Sequence, residues 1–363
     1  MTARLLQPTK GMFEFQQLSI PTNVVIFFVA ACVVWLAGTK LSRYVDLFAE
    51  RTGVGEAFAG AMLLGGATSL PELATTVTAG WSGAATLAGS NLLGGIVMQI
   101  AVLAFIDAFV LRGKPLTMFS PRSSLLLVGI VLIAMIALAC AAIASGDRYV
   151  WQGIGIWPPL LFVAYVASMA VIYRYEGSPR WEPRGEVAQP PESAKDLKDS
   201  FHEAFDNVST KTIIGLFCMS GLAVLIGGYF VARSGEALAN QTGISQGFIG
   251  ATLVAVATSL PELSTTYSAV RFGAYSMAAA NILGTNSLEV ALFLPAELAY
   301  REGGIMNAVA ASSVFLAALG ILVTCLYLWG VLERRDKTFL GMGIDSFAVL
   351  VVYAIGMTIY STL

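Results

Sequence analysis

Apolar residues fill most of the chain in long stretches, and short polar segments separate these stretches. A helix that crosses a bilayer needs about 20 consecutive apolar residues. The pattern predicts ten spans, near residues 22–41, 54–80, 84–111, 124–145, 150–173, 212–232, 245–270, 274–298, 305–330 and 341–361. The expected fold class is an all-α integral membrane protein with ten transmembrane helices.

The composition agrees with a chain whose solvent is mostly lipid. Of the 363 residues, 56% are hydrophobic and 12% are charged, and the charged share is about half of the ordinary one. A formal net charge of −2 gives no basic surface for nucleic acid. The four cysteines lack metal-ligand spacing, and there is one histidine. These features predict neither an enzyme nor a disulfide scaffold, and no cofactor.

Lysine and arginine predict the orientation of the spans. If the N-terminus lies outside, 16 of the 21 basic residues fall on the inner side. Cytoplasmic loops are the ones enriched in such residues. Both termini are therefore expected outside, and the loop 175–211 in the cytoplasm. Because the chain shows no targeting segment, the cell (inner) membrane is the expected location. The outer segments hold Arg4, Lys10, Arg148, Arg233 and Arg301.

The loop 175–211 divides the chain into two groups of five spans. Its first half is rich in proline, and its second half carries apolar residues at helical spacing. This spacing predicts an amphipathic helix on the inner membrane surface. A plain tether between two halves is the alternative. The apolar positions are Leu197, Phe201, Phe205 and Val208.

An internal repeat relates the two groups of spans. Residues 52–73 and 242–263 align without gaps, with 13 identities in 22 positions that include the sequence TSLPEL. The segments 88–95 (AGSNLLGG) and 283–290 (LGTNSLEV) form a second pair. Because five is odd, the second half must enter the membrane from the opposite side. The sequence thus predicts two inverted repeats, 22–174 and 212–361, with broken helices at their centre, as in secondary transporters.

Each TSLPE motif combines a helix break with a carboxylate. Pro71 has no N–H to donate to the Ala67 carbonyl, and Glu72 follows it directly. Thr68 and Ser69 lie on the same helical face as this glutamate. The second copy offers Pro261, Glu262, Thr258 and Ser259. In the second motif pair, Ser90 and Gly94 of one half correspond to Thr285 and Glu289 of the other.

Three carboxylates, those of Glu72, Glu262 and Glu289, are thus expected at membrane depth. An uncompensated charge there costs at least about 2.5–3.5 kcal/mol. The repeat spans contain no lysine or arginine to offset it, so the compensating charge is a proton or a transported cation. Oxygen ligands without histidine or cysteine favour hard ions such as Ca²⁺, which takes six to eight oxygens. Asn91 and Asn286 either join this site or cross-link helices.

The duplicated TSLPEL with a following G-[ST]-N resembles the sodium/calcium exchanger family, within the cation/calcium antiporters. The resemblance implies an antiporter that moves Ca²⁺ against a Na⁺ gradient by alternating access. It also implies that Glu72 and Glu262 bind calcium. The resemblance completes the two ion sites with Thr68, Ser69, Thr258, Ser259, Ser90 and Thr285, and with the backbone carbonyls of Gly65 and Ala255.

The chain departs from the family pattern at two positions of the second motif. The family usually offers Asn or Asp where Gly94 and Glu289 stand in this sequence. Coupling to H⁺ or K⁺ instead of Na⁺ is the first alternative, because a buried carboxylate such as Glu289 readily holds a proton. A passive cation channel is the second, although inverted repeats fit it poorly. The partners expected are the transported ions and the bilayer, without nucleic acid and without an obligatory protein partner.

Overall fold

The computed structural model describes residues 15–81, 83, 85–111, 114–119, 122–178, 181, 190–242, 259–334 and 336–363. A 3₁₀-helix (Phe15–Gln17) precedes the first half. The elements of that half are α1 (Ile20–Thr52), α2 (Glu56–Phe58), a π-helix (Ala59–Leu64), α3 (Gly65–Thr68), α4 (Leu70–Trp81), α5 (Ala85–Ile106), a second π-helix (Asp107–Leu111), α6 (Leu116–Phe119), α7 (Ser123–Ser145), β1 (Val150–Trp151), β2 (Ile154–Gly155) and α8 (Trp157–Glu176).

A linker helix, α9 (Glu192–Phe205), separates this half from the next. The second half contains a 3₁₀-helix (Ile305–Asn307) and a series of elements that resembles the first. Its elements are α10 (Thr210–Thr242), α11 (Leu260–Arg271), α12 (Tyr275–Ala291), α13 (Phe293–Ala299), α14 (Ser312–Glu333), β3 (Thr338–Phe339), β4 (Met342–Gly343) and α15 (Ile344–Tyr360).

Within the described residues, 7 helical segments are long and apolar enough to cross a membrane. Large apolar side chains on α1 and α10 point outward, among them Phe28 and Leu36, each 63% exposed, and Met219, 70% exposed. Such a surface is stable against lipid and not against water. The predicted class, an all-α membrane protein, is confirmed, whereas the ten spans in two inverted halves stay a prediction. The predicted span 245–270 lies partly outside the described residues.

The helices α1 and α10 form a pair of equal length. Each has 33 residues, and they pack side by side through Ala30, Val34 and Val231. The first helix starts where Ser19 accepts a hydrogen bond from the Thr22 amide at 3.3 Å. It ends at Gly53, whose φ of 69° is a left-handed conformation that suits glycine. The pair borders the helices that carry the candidate site, because α1 also packs along α11.

The helix α12 occupies the centre of the bundle. All of its residues except Leu288 are buried, although they include Asn281, Thr285 and Glu289. It contacts α5, α7, α8 and α11 as well as the π-helix Ala59–Leu64. A helix that is buried on all sides and still polar must find internal partners for its polar groups. The candidate site lies along this helix.

One short β-hairpin precedes the last helix of each half. Val150 pairs with Gly155 in the first, and Thr338 pairs with Gly343 in the second. The predicted spans 150–173 and 341–361 therefore begin too early, because their first residues form hairpins. Their turns contain Gly153 and Gly341, with φ of 85° and 84°, which glycine adopts without strain.

Each hairpin is held by a buried carboxylate from the opposite half. Glu297 accepts hydrogen bonds from the amides of Gly155 and Ile305, both at 2.6 Å. Asp107 accepts from the amides of Leu116 at 2.7 Å and Gly343 at 2.8 Å. These two acidic residues therefore have a structural role.

Replacing Glu297 with alanine leaves the buried amides of Gly155 and Ile305 without an acceptor. An unsatisfied buried group costs about 1–3 kcal/mol, so the free energy of unfolding is expected to fall by about 2 kcal/mol or more. The measurement is the midpoint of thermal unfolding in detergent, followed by tryptophan fluorescence. Asp336→Ala, at an exposed position, is the control and should leave the midpoint unchanged. Equal midpoints for both variants would contradict the structural role of Glu297.

Candidate functional site

Glu72 and Glu262 occupy equivalent places at two helix breaks. Each lies in the first turn of a 12-residue helix, and each follows a proline, Pro71 in α4 and Pro261 in α11. The preceding serines leave regular helical geometry, with φ and ψ of −79° and 2° at Ser69. The breaks follow from the sequence, because proline cannot donate to the carbonyl four residues earlier. Both glutamates are buried, at 4% and 0% exposure.

Glycines allow the first broken segment to approach α12 closely. A Cβ atom at Gly60 would lie 2.6 Å from the Met277 carbonyl oxygen. A Cβ atom at Gly65 would lie 2.8 Å from the Thr285 hydroxyl oxygen. Neither position accepts a side chain without a shift of backbone or hydroxyl. The contact therefore places the segment before Glu72 directly against the central helix.

Three carboxylates from three helices converge at this contact. Glu72 of α4 lies close enough to Glu262 of α11 and Glu289 of α12 for their charges to repel one another. Glu289 and Glu262 also repel each other. The exposed fractions of the last two side chains are 0%. The structure thus brings together the acidic residues that the sequence analysis singled out.

These carboxylates lack the partners that buried charges usually have. Neither oxygen of Glu72 or Glu262, and only one of Glu289, accepts a well-formed hydrogen bond from the described residues. Ion pairs among the described residues join other side chains, for example Arg122 with Glu56, Lys198 with Asp46, and His202 with Asp46 and Glu50. Buried acidic groups without a basic partner offer their oxygens to a cation or a proton.

Several hydroxyl groups lie at the first helix break or beside it. The Thr68 and Ser69 hydroxyls donate to the Gly65 carbonyl at 3.1 and 2.9 Å. Thr68 also lies beside the Glu262 carboxylate of the other half. The Thr285 hydroxyl is buried without a hydrogen-bond partner among the described residues.

In the second half, Ser259 is buried at the break before α11. Thr258 and Ala255, the other two residues proposed from that copy of the motif, lie outside the described residues.

Ser90 lies elsewhere. Its hydroxyl is 3.3 Å from the Ser313 hydroxyl and accepts from the Tyr360 hydroxyl at 3.3 Å. It therefore joins α5 to α14 and α15. Gln99, nine residues later on α5, donates its side-chain amide to the Glu289 carboxylate, and its own carbonyl oxygen is buried without a partner. On α5, Gln99 and not Ser90 therefore contacts the carboxylates of the candidate site.

The helix positions explain why the sequence alignment missed Gln99. The pairs α1 and α10, α4 and α11, and α5 and α12 each begin 190 residues apart, the same offset that relates the two TSLPEL copies. This offset pairs Gln99 with Glu289 and Gly95 with Thr285. The similarity of AGSN to LGTN implies an offset of 195, which pairs Ser90 with Thr285 instead. With the offset of 190, the position at which the first half departs from the family pattern is Gln99 and not Gly94.

The two asparagines of α12 cross-link helices. Asn281 donates to the hydroxyls of Thr265 and Thr266 on α11 at 3.2 and 3.3 Å. Asn286 donates to the Ile96 carbonyl of α5 at 3.3 Å. These bonds fix α12 against the helices that carry Glu262 and Gln99. Of the two roles considered for Asn286, the structure supports cross-linking for its amide nitrogen.

Comparisons with known proteins place the chain among transport proteins. A family model described as sodium/calcium exchanger protein matches residues 22–174 and 212–360. Membrane protein MJ0091 of Methanocaldococcus jannaschii is 25% identical over 278 residues, which is 77% of this chain and 80% of that protein. The sodium/calcium exchanger MaX1 of Methanosarcina acetivorans is 42% identical over 76 residues, 21% of this chain and 22% of that protein.

The fold resembles that of a solved exchanger. The sodium-calcium exchanger NCX_Mj, in a structure obtained with Na⁺ and Sr²⁺, aligns with a TM-score of 0.69 at 19% sequence identity. The alignment covers 94% of this chain and 99% of that one. At this identity the comparison supports the fold alone.

Cation binding can test whether Gln99, as the offset of 190 residues implies, or Ser90 belongs to the site. Replacing Gln99 with leucine removes the donor to Glu289, a charge-assisted hydrogen bond worth about 1.5–3 kcal/mol. We expect affinity for a hard divalent cation to fall roughly tenfold or more. Isothermal titration of the purified protein with Ca²⁺ measures it. Ser90→Ala is the matched control on the same helix and should bind as the unaltered protein does. A larger loss in the Ser90 variant would favour the offset of 195.

Proposed function

Because the chain belongs to the sodium/calcium exchanger protein family, we propose that it exchanges Ca²⁺ for Na⁺ across the membrane by alternating access. The family match confirms the resemblance seen in the duplicated TSLPEL motif. Family and fold together support an integral membrane cation/Ca²⁺ antiporter, which is a transporter and not an enzyme. Sodium as the counter-ion, the site residues and the transport cycle are the proposed part.

The observation that carries the proposal is the convergence of three unpaired carboxylates. Glu72, Glu262 and Glu289 are buried together and have no basic partner among the described residues. A divalent cation offsets most of their charge, and Ca²⁺ accepts six to eight oxygen ligands at flexible geometry. Further oxygens are available from Thr285 and from the side-chain carbonyl of Gln99.

Competition for the same oxygens would couple the two ions. The free energy of an empty site is high, because like charges in a poorly solvated interior repel one another strongly. The protein therefore changes its orientation only with Ca²⁺ or with Na⁺ bound. Thr68, Ser69, Thr258 and Ser259, with the carbonyls of Gly65 and Ala255, are the proposed sodium ligands. Transport in one direction then requires transport in the other.

We further propose that residues 22–174 and 212–361 form inverted halves joined by the linker 175–211. Two helix pairs of equal length (α1 with α10, α4 with α11), a common offset and a hairpin before each last helix support two halves of one design. Both termini would lie outside and the linker in the cytoplasm, since 16 of the 21 basic residues then lie inside. The carboxylates come from both halves, and a site at the interface of repeats suits alternating access.

Substitution of the two central glutamates tests the proposal. In proteoliposomes with an imposed Na⁺ gradient, Glu72→Gln and Glu262→Gln should each lower ⁴⁵Ca²⁺ uptake by about tenfold or more, because one charged ligand is lost. Glutamine keeps the size of the side chain, so the effect reports charge. Glu203→Gln, at an exposed position on α9, is the control. Uptake that is unchanged in both variants would refute the assignment.

Proton coupling is the second candidate, and Glu289 favours it. This carboxylate is fully buried and pairs with the neutral amide of Gln99. Burial of this kind favours the protonated form of a carboxyl group. Calcium uptake driven by a pH gradient in sodium-free and potassium-free buffer, abolished in Glu289→Gln, would support H⁺ as the counter-ion. Uptake that appears only with a Na⁺ gradient would exclude it. Flux that needs no counter-ion on the other side would indicate a channel instead.

A further inference from the structure

A second group of buried acidic residues lies at the base of the β3–β4 hairpin. Asp107 begins the second π-helix, and Asp345 lies in the first turn of α15. The two residues are 1% and 7% exposed. Their carboxylates approach each other at Gly343, because a Cβ atom there would collide with Asp345 Oδ1 and would lie 3.2 Å from Asp107 Oδ2. Two carboxylates that are far apart in sequence therefore share one buried region.

The described residues satisfy Asp107 but only part of Asp345. Both Asp107 oxygens accept backbone amides, as described above. The Asp345 carboxylate accepts from the Thr117 hydroxyl and from the amide of Ser346. Its Oδ2 atom is nevertheless buried without a hydrogen-bond partner among the described residues. A buried carboxylate oxygen without a partner is costly, and a cation that binds it removes this cost.

The Tyr327 hydroxyl of α14 is a second buried group of this kind. Tyr327 is 2% exposed, and none of the described residues forms a hydrogen bond with its hydroxyl, although buried hydroxyls normally have a partner. The charges of Asp345 and Asp107 both act on this hydroxyl, so it lies near them. Gly330 lies on the same face of α14 and makes room for Asp345 Oδ2, with which a Cβ atom at Gly330 would collide. Both helices therefore present a polar atom without a described partner to the same region.

A small cavity lies beside Asp345. Its volume of about 20 Å³ exceeds the minimum that one water-sized group requires. The C-terminal end of α14 forms one wall, and the last carbonyls of a helix carry partial negative charge because they lack intrahelical partners. This end of the helix therefore favours a cation. The lining of the cavity includes Thr117, Trp329, Gly330, Glu333, Lys337 and Asp345.

The lining residues suit a hard divalent cation. Asp345 and Glu333 supply carboxylates, and Thr117 supplies a hydroxyl, so the available ligand atoms are oxygens. Asp107 adds a further buried negative charge beside Asp345. The exposed Lys337 offsets only one of these charges. Mg²⁺ typically keeps several waters and binds one or two carboxylates, and Ca²⁺ accepts more protein oxygens. Both ions therefore fit the chemistry of the lining.

This cavity is separate from the three central glutamates. Asp107 lies eight residues after Gln99, which corresponds to about 12 Å along α5. The residues of the cavity are also not repeated in the first half, because the offset of 190 places Gly155 opposite Asp345 and Asp147 opposite Lys337. The cavity is therefore distinct from the repeated motifs. In the orientation proposed above, it faces the cytoplasm.

We propose that this cavity is a second cation site, in which Asp345 and Glu333 bind a hard divalent cation that connects the end of α14 to the start of α15. The bound ion holds the β3–β4 hairpin against α14, a structural role that does not depend on which ions the protein exchanges. Lys337 competes with the ion, since like charges at one cavity repel each other. Removing the Lys337 charge therefore strengthens binding, whereas removing the Asp345 charge weakens it.

Luminescence of Tb³⁺ tests the site in the purified protein. Tb³⁺ is a hard ion that accepts oxygen ligands as Ca²⁺ does. Trp329 lines the cavity, so light absorbed by its indole ring excites an ion bound there. Trp329→Phe should remove this emission, while calorimetry should show that Tb³⁺ still binds with unchanged affinity. The emission that depends on Trp329 is the signal of the second site, and its absence from the unaltered protein would contradict the proposal.

Two substitutions should shift the Tb³⁺ concentration at half-maximal emission in opposite directions. Asp345→Asn removes a charged ligand and should raise this concentration roughly tenfold or more. Lys337→Gln removes the competing charge and should lower it about threefold. Asp199→Asn, at an exposed position on α9, is the matched control and should leave it unchanged. An unchanged value in Asp345→Asn would overturn the proposal. If that variant does not fold, an unchanged value in Lys337→Gln would overturn it.

Two further measurements separate this site from the exchange site. The Trp329-dependent emission should persist in Glu72→Gln, even if that variant no longer transports Ca²⁺. Its loss there would assign the ion to the central glutamates and refute the second site. Ca²⁺ and Mg²⁺ are then added as competitors, and displacement of Tb³⁺ by either ion supports the proposal and identifies the preferred ion. If neither ion displaces Tb³⁺, the cavity does not bind hard divalent cations and the proposal is wrong.

Discussion

The cost of burying a carboxylate without a partner governs this structure. Each ion taken from water into a protein interior loses several kcal/mol of solvation, and only a charge or hydrogen bonds of good geometry restore it. Glu72, Glu262 and Glu289 share one buried region in which the described residues offer no basic side chain. A cation or protons among these oxygens would therefore stabilise the folded state. Helix breaks and glycines around them provide the space.

Other buried acidic residues show that the protein satisfies such groups elsewhere. The buried Glu297 and Asp107 each accept two backbone amides, and the half-buried Glu176 accepts the amides of Ala57 and Phe58 at 2.8 and 2.6 Å. The last pair satisfies the start of α2, the helix that leads to the first break. These three carboxylates are therefore hydrogen-bonded through both oxygens, whereas Asp147 and Asp345 each keep one buried oxygen without a partner among the described residues. Glu72 and Glu262 differ from all of these groups, because neither oxygen of either side chain has a hydrogen-bond partner among the described residues.

Much of this arrangement follows from local sequence. Pro71 and Pro261 predict the helix breaks, since the missing N–H acts at a fixed distance along the chain. The glutamates beside them were identified from polarity at membrane depth. The sequence did not predict the role of Gln99, because the short similarity of AGSN to LGTN indicates an alignment that is shifted by five residues. The constant offset of 190 residues, already present in TSLPEL, was the signal that places Gln99 opposite Glu289. Helical spacing also does not show that Phe201 and Phe205 of α9 pack against α1 and α10, because lipid and protein present equally apolar surfaces.

The pairing of Gln99 with Glu289 also shows how two equivalent positions acquire different chemistry. A carboxylate at both positions would place four acidic groups around a cation of charge +2, and the excess repulsion would weaken the site in every state. A glutamine at one position removes one charge and supplies a donor to the remaining carboxylate. Gly95, at the position equivalent to Thr285, leaves room for the long side chain of Glu289. A Cβ atom at Gly95 would lie 2.9 Å from Glu289 Oε2. Gly95 lacks the hydroxyl that Thr285 has, and Glu289 has an extra methylene. These two changes compensate for each other and have to be understood together.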